Sequence, residues 1–520
     1  MGLPPVIESL LDPASYKGAA GSVELIQTHI SYILLTQDFA YKIKKPVDFA
    51  FLDFTTLEKR LFFCEEEVRL NRRLAPGVYL GVVAVVKKDG GFEMEGAGKP
   101  VEYAVKMRRL SEESLLEDSL LRGEVSNSTI TRIASAIAAF HAAAATDERI
   151  SSFGSPALVK KNTDENFAQT FAFAGRAISR GLFERVRDYT GDFLKRNEGL
   201  FIRRVDKGFI RDCHGDIHSG HISISDGINI FDCIEFNERF RFSDTVADAA
   251  FLSMDLDFHN RADLARLFES SYFAATGDTE GRALLDFYKC YRAYVRGKVE
   301  AFKSAEPEVG AGERSDALLA ARRHFHLSGL YSSGGWRPTL AVVCGLSGTG
   351  KSTVAALIAE GASFVRLSSD AVRKELAGVK PYEHRREGWE RGIYSEEFTE
   401  RTYGELVRRA SSYLKEGRSV VLDATFSKRR FIDAARSASA WRRAEFHIIE
   451  CAASDGTVKR HFLERKAGEE KSAGAVSDAD WGIYLKQKAA FEPIEEPHLL
   501  LSSEFPIERG MALVFEKIFG

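Results

Sequence analysis

One run of residues constrains this chain more than any other. Gly345-Leu346-Ser347-Gly348-Thr349-Gly350-Lys351-Ser352 fits G-x-x-x-x-G-K-[ST] at every fixed position. That pattern requires a strand before it and a helix after it. The apolar run Thr339–Cys344 predicts the strand, and Ser352–Glu360 predicts the helix. Glycines let backbone N–H groups converge on phosphate oxygens, and the helix N-terminus adds a favourable dipole. Lys351 suits the β- and γ-phosphates, and the Ser352 hydroxyl suits Mg2+. Residues 345–352 together with Thr353 are therefore the expected nucleotide-binding set, with ATP and Mg2+ as the implied cofactors.

The rest of the C-terminal part alternates in the same way. Ser363–Leu367, Ser419–Leu422 and Glu445–Glu450 read as strands, and Ala371–Leu376 reads as a helix. Alternation of this kind predicts a parallel sheet between helices, with ligands at the carboxyl ends of the strands. Two acids fall at such ends. Asp370 is placed to take a proton from an acceptor hydroxyl, with Arg373 placed to hold an anionic group. The alternative for Asp370 is a cap on the helix Ala371–Leu376. Asp423 closes the run Val420-Val421-Leu422 and is a candidate to hold Mg2+ or orient the acceptor.

With these residues in view, residues 338–500 resemble the small P-loop kinases that phosphorylate hydroxyls: gluconate kinase, chloramphenicol phosphotransferase, zeta toxin and polynucleotide 5′-kinase. Their shared Asp-x-x-Arg and Asp-x-Thr are matched by Asp370-Ala371-Val372-Arg373 and Asp423-Ala424-Thr425. The resemblance also implies a basic lid helix. Lys459–Lys466 lies where that lid belongs, which makes Arg460 and Arg465 candidates to neutralise the transferred phosphoryl group. A solvated basic helix is the alternative.

The N-terminal part has a different grammar. Val23–Thr28, Tyr32–Leu35, Phe39–Ile43, Tyr79–Lys87 and Val101–Met107 are rich in β-branched and aromatic residues and predict strands. Leu57–Leu74 predicts a helix dense in Glu and Arg. Beyond Leu110 nearly everything reads helical, apart from short strands at Ile222–Ile224 and Ile228–Phe231. This predicts a small β-rich lobe over about 20–107 and a helical lobe over 110–332, an α+β arrangement with a cleft. The small, flexible run Ser332–Pro338 marks the expected boundary between domains 1–334 and 335–520.

A second constellation lies in that first part. His214-Gly215-Asp216-Ile217-His218 is followed by a predicted hairpin and then by Asp232. An acid in a loop, a hairpin and a second acid form a kinase-like order. Asp216 would orient or deprotonate an acceptor hydroxyl, and Asp232 would hold Mg2+. Upstream, Lys42 in a predicted strand would pair the phosphates, with Lys44 as the alternative. The helix carrying Glu65-Glu66-Glu67 would supply an ion-pair partner, assigned here to Glu66. His214, His218 and His221 also have the spacing of a zinc site.

This part resembles the aminoglycoside phosphotransferase and choline kinase superfamily, over about residues 20–330, through its catalytic loop. That family shows H-G-D-x-H-x-x-N, and its metal-binding Asn position holds His221 here. Imidazole is a poor partner for Mg2+, which prefers oxygen. The family's Gly-rich phosphate cover is also missing, so the turn Thr28–Ser31 would have to serve. The resemblance implies a bilobal protein-kinase-like domain (α+β) followed by an α/β P-loop NTPase domain, as in bacterial fusions of the two.

Composition narrows the partners. The net charge is −3 over 520 residues, which gives no bulk electrostatic case for long nucleic acid or a membrane surface. Six scattered cysteines with no C-x-x-C pair suit free thiols in a reducing cytoplasm. The expectation is a cytoplasmic, ATP-dependent phosphotransferase with two Mg·ATP sites and a small hydroxylated acceptor. The competing expectations are a nucleotide-binding regulatory domain controlling the other one, or action of the P-loop domain on a nucleic acid end or nucleotide sugar.

Overall fold

The computed structural model describes residues 2–18, 21–49, 52–88, 90–225, 227–379, 392–469 and 481–520, without the side chains of 465–469. Two compact units emerge. The first comprises Met1–Asp164, Gly191–Asp255 and Leu264–Arg292, and the second Glu165–Thr190, Leu256–Asp263 and Ala293–Gly520.

The first unit begins with the predicted β-rich region. β1 (Glu24–Gln27), β2 (Ser31–Leu35) and β3 (Phe39–Lys44) precede the helix α1 (Leu57–Asn71). β4 (Tyr79–Lys88), β5 (Gly91–Met94) and β6 (Pro100–Arg108) complete a sheet in the order β1-β2-β3-β6-β4-β5. All its pairings are antiparallel. The short β5 carried no alternating signal of its own and forms by pairing with β4. α1 starts where the Thr56 hydroxyl accepts the Lys59 N–H, with Glu58 in the first turn and Arg69 in the last, both favourable to the helix dipole. Its inward stripe includes Cys64, Glu67, Val68 and Asn71. Helices follow, among them α2 (Thr245–Phe258).

In the second unit the helix α3 (Ala311–Ser332) precedes β7 (Thr339–Cys344), α4 (Lys351–Ala362), β8 (Val365–Ser368), α5 (Ser369–Leu376) and α6 (Glu396–Lys415). β9 (Val420–Asp423), β10 (Glu445–Ala452), α7 (Asp455–Glu469), α8 (Trp481–Ala490), β11 (Leu499–Ser502) and α9 (Ile507–Phe519) come after. The sheet runs β8-β9-β7-β10-β11 and is parallel throughout. β7 is its centre, and every one of its residues is buried, as a strand covered on both faces requires. Leu340, Val342 and Cys344 face the cluster of Tyr403, Leu406 and Ile432, while Ala341 and Val343 face Val354, Ile358 and Val514. The edge strand β11 escaped prediction because its run is short and Leu500 points into solvent.

The units do not divide at 334/335. α3 belongs with the P-loop fold because its side chains close on it: Arg323 donates to Gly361 O at 3.1 Å, and Leu319 packs beside Gly361. Asn260 also joins the second unit, donating to Ser363 O at 2.9 Å and Ser419 O at 3.1 Å. All six cysteines are buried free thiols. Among the described residues, no helix is long and apolar enough to cross a membrane.

Arg204 is fully buried in the first unit and depends on two carboxylates. It pairs with Asp278 at 2.9 and 2.8 Å and with Asp244 at 2.7 Å. Breaking such a network strands a charge and costs about 3 kcal/mol or more. Asp278→Ala should lower the unfolding free energy in urea by that amount. Lys207→Ala, which removes only an exposed pair with Glu280, should change it by less than ~1 kcal/mol. Equal effects would show that the buried network carries no special weight.

Candidate functional site

The phosphate loop connects β7 to α4. Gly345 sits at φ +130°, and a Cβ there would lie 2.3 Å from the Cys451 carbonyl oxygen. Gly348, at φ +83°, would bring a Cβ within 2.9 Å of Val458 Cγ1. Both positions are closed to side chains by sterics as well as by backbone conformation. Thr349 Oγ1 donates to Leu346 O at 2.8 Å, which tightens the loop, and the Thr353 N–H donates to Gly350 O at 3.1 Å. Leu346 packs beside Val458, Phe462 and Tyr484. The Ser347 N–H donates to Gln487 Oε1 at 3.0 Å.

Around this loop the parallel sheet gathers acids at its carboxyl ends. Ser352 Oγ donates to Asp423 Oδ1 at 3.1 Å, and Arg366 pairs with Asp423 Oδ2 at 2.6 Å. A hydroxyl and a carboxylate side by side are oxygen donors of the kind Mg2+ takes. Asp370 lies in the first turn of α5, whose N-cap is Ser368, so the capping position belongs to another residue. Burial pushes the Asp370 carboxyl above its ordinary value, and the Asp423 charge adds to this; Lys351 and then Arg373 oppose the shift without cancelling it.

Arg373 is itself engaged with the fold. It donates to Ile393 O at 2.6 Å and Thr399 Oγ1 at 3.2 Å, leaving Nε without a hydrogen-bond partner among the described residues. Arg460 departs from the expected lid role. It lies exposed and pairs with Glu464 at 3.9 Å, one turn along its own helix. From α7 it is His461 that hydrogen-bonds the loop, its Nδ1 donating to Gly348 O at 2.8 Å. Because α7 turns Val458, His461 and Phe462 inward, Arg460 falls on the outer face. The side chain of Arg465 lies outside the described residues. Sequence reasoning missed Arg366, His461 and Gln487. Only Arg366 left a signal, a charged residue inside a short strand beside the site.

The first unit brings together a second set. Lys42 and Lys44 lie two apart on β3 and so share a face. Lys42 Nζ is 2.6 Å from Asp232 Oδ1 and 2.9 Å from Glu67 Oε1. Lys44 Nζ is 2.7 Å from Glu67 Oε2 and also pairs with Glu235. Desolvation disfavours each ammonium, but Asp232 and then Glu67 hold Lys42 well above its ordinary value. Glu67 stays below the ordinary carboxylate range, since Lys42 and then Lys44 outweigh its burial. Lys42, not Lys44, is the lysine that reaches Asp232.

The partner expected at Glu66 is Glu67. Glu66 forms a surface pair with Arg69 at 2.7 Å. Helical spacing from Cys64 and Asn71 puts residue 67, not 66, on the buried stripe, and the sequence carried that signal. Asp248 fixes the catalytic-type loop by accepting the N–H groups of His214 at 2.9 Å and Gly215 at 2.8 Å. Asp216 and His221 are adjacent, with His221 Nδ1 3.5 Å from Asp216 Oδ2. His214 is no metal ligand: Nε2 donates to Phe231 O at 3.1 Å and Nδ1 accepts the Asp216 N–H at 3.3 Å. Burial lowers the His214 pKa to about 4, so the ring stays neutral. The turn at 28–31 spends the Ile30 and Ser31 amides on Thr28 Oγ1.

Comparison with known proteins gives three findings. The AAA domain family matches residues 340–494. The uncharacterized protein Rv2004c of Mycobacterium tuberculosis (strain ATCC 25618 / H37Rv) is 32% identical over 468 residues, 88% of this chain and 91% of that one. Among solved structures, the APS kinase of Mycobacterium tuberculosis in complex with AMPPNP and APS aligns with a TM-score of 0.26 at 18% identity, covering 36% of this chain and 99% of that one. A choline/ethanolamine kinase family protein from Mesorhizobium loti aligns with a TM-score of 0.36 at 12% identity, covering 59% and 92%.

The two adjacent glutamates make a direct comparison possible. Glu67→Gln removes the shared carboxylate between two buried lysines and should destabilise the chain by about 3 kcal/mol or more. Glu66→Gln should cost less than ~1 kcal/mol. Urea unfolding followed by circular dichroism reads both. A larger loss for Glu66→Gln would reverse the assignment.

Proposed function

The chain belongs to the same protein family as the uncharacterized mycobacterial protein Rv2004c, and from that premise and the site geometry we propose that it is an ATP-dependent phosphotransferase acting on a small hydroxylated molecule. The observation that carries this reading is the arrangement in the second unit. The phosphate loop, the Ser352–Asp423 pair and the half-buried Asp370 all stand at the carboxyl ends of one parallel sheet.

In this reading Lys351 and the loop amides hold the β- and γ-phosphates of ATP, and Ser352 and Asp423 hold Mg2+. That ion, when bound, neutralises charge on the phosphate oxygens. Asp370 aligns the acceptor hydroxyl and takes its proton. The hydroxyl oxygen bonds to the γ-phosphorus as the bond to the β,γ-bridging oxygen breaks. The raised pKa of Asp370 makes its carboxylate a stronger base than an ordinary aspartate. The first unit offers a second nucleotide site, with Lys42 for the phosphates, Asp216 at the acceptor and Asp232 for a metal. A regulatory role for that unit is the second reading, favoured by His221 at the position where the resembling kinases carry Asn.

Two substitutions test the proposal. In calorimetry of the full chain, Lys351→Ala should weaken one ATP site by about 10-fold or more, the worth of a charge-assisted contact. Unchanged affinity would reject the phosphate-loop assignment. Once a screen of hydroxylated metabolites identifies an acceptor, Asp370→Asn should lower kcat by about 10²-fold or more with ATP affinity intact. Asp370 must be ionised to accept the proton, so kcat should fall as pH drops through a value above the ordinary carboxylate pKa. That limb should vanish in Asp370→Asn. Undiminished kcat would remove Asp370 from the mechanism.

A further inference from the structure

Arg366 is a charge in a place where the fold has no need of one. Its neighbours on β8, Val365 and Leu367, pack against the cluster of Tyr403 and Leu406. The two-residue period of a strand turns Arg366 to the opposite face, where its register partner Val421 joins the cluster of Val354 and Ile358. Asp423 lies two residues further along β9 on that same face, and Ser352 reaches it from the first turn of α4. β8 is an edge strand, so the Arg366 stem can cross to Asp423 while its outer side meets water. The Arg366 side chain is 35% exposed, against 2% for Asp423.

The Asp423 carboxylate is engaged at both oxygens. Oδ1 accepts the Ser352 hydroxyl at 3.1 Å, and Oδ2 accepts Arg366 Nη2 at 2.6 Å. An ion that approaches this carboxylate therefore meets a guanidinium already in place. Ser352 has no reason to leave, because its hydroxyl is an oxygen donor for the same ion. Arg366 can leave. Its guanidinium makes no other hydrogen bond or ion pair among the described residues. Charge sets the cost of sharing the site. A unit charge about 5 Å from a dication changes its affinity by about 10-fold even in water, and by more where water is excluded. Mg·ATP differs from bare Mg2+ because its phosphates offset the charge of the ion.

We infer that Arg366 is the counter-ion of Asp423 in the absence of nucleotide, and that it reserves this carboxylate for a dication arriving with ATP. Arg366 is thus a positioning residue that selects the metal–nucleotide complex over the free metal. The inference rests on the proposed nucleotide site of the second unit.

The test uses the full-length protein and Mn2+, which takes the same oxygen ligands as Mg2+. Without nucleotide, the unbound ion is followed by its electron paramagnetic resonance signal. Arg366→Gln should gain a Mn2+ site at least about 10-fold tighter than in the natural chain. Adding Asp423→Asn to that variant should remove the gain, and Arg366→Lys, which keeps the charge, should show none. Calorimetry of Mn·ATP should show a smaller gain than Mn2+ alone. Unchanged Mn2+ affinity in Arg366→Gln overturns the inference, as does a gain that survives Asp423→Asn or one that is equal for Mn·ATP. A natural chain that loses a nucleotide-independent Mn2+ site on Asp423→Asn also overturns it, whether or not Arg366→Gln folds. ATP affinity of Lys351→Ala separates the two claims. A Mn2+ gain with ATP binding unchanged by Lys351→Ala keeps the counter-ion and rejects the phosphate-loop reading. ATP binding weakened by Lys351→Ala with no Mn2+ gain does the reverse.

Discussion

A charge taken out of water must meet its complement, and much of this molecule is arranged around that requirement. β3 buries two lysines on one face, which a strand can do only if carboxylates come to them. Glu67 answers both, and Asp232 and Glu235 complete the set. These contacts tie β3 to α1 and to the segment following the catalytic-type loop. Arg204 with Asp244 and Asp278, and Asp248 with His141, repeat the pattern elsewhere in the first unit. Each such set fixes the relative position of segments far apart in sequence, because losing any member leaves a stranded charge.

The second unit meets the same requirement at its functional end. Asp423 is nearly buried, and Ser352 and Arg366 satisfy it from opposite sides. The loop between β7 and α4 is pressed against the Cys451 carbonyl and α7 so closely that glycine is needed for space as well as for backbone freedom. The contact of His461 with Gly348 and that of Gln487 with Ser347 fasten α7 and α8 to the loop through polar atoms of the loop backbone.

In the first unit His221 lies between two carboxylates, 3.5 Å from Asp216 Oδ2 and 3.5 Å from Asp232 Oδ2, and its Nδ1 donates to the Asp216 main-chain carbonyl at 3.0 Å. That contact fixes the ring's orientation between segments that the hairpin separates in sequence.

By itself the sequence determined the parallel α/β fold around the phosphate loop, through the strand–glycine–lysine–helix order that only such a turn accommodates. It also determined the antiparallel region before it, through alternating β-branched and aromatic runs, and it singled out Asp370, Asp423, Asp216 and Asp232 as candidates. Tertiary structure alone decided the rest. It decided that Glu67 meets both Lys42 and Lys44, and that α7 puts His461 on the loop and Arg460 in solvent. Packing drew α3 into the second unit, although a flexible run separates it from β7. The physical reason is common to these cases. Local pattern specifies an element and its chemistry, while the identity of a buried partner depends on which side chain of that element faces a neighbour distant in sequence.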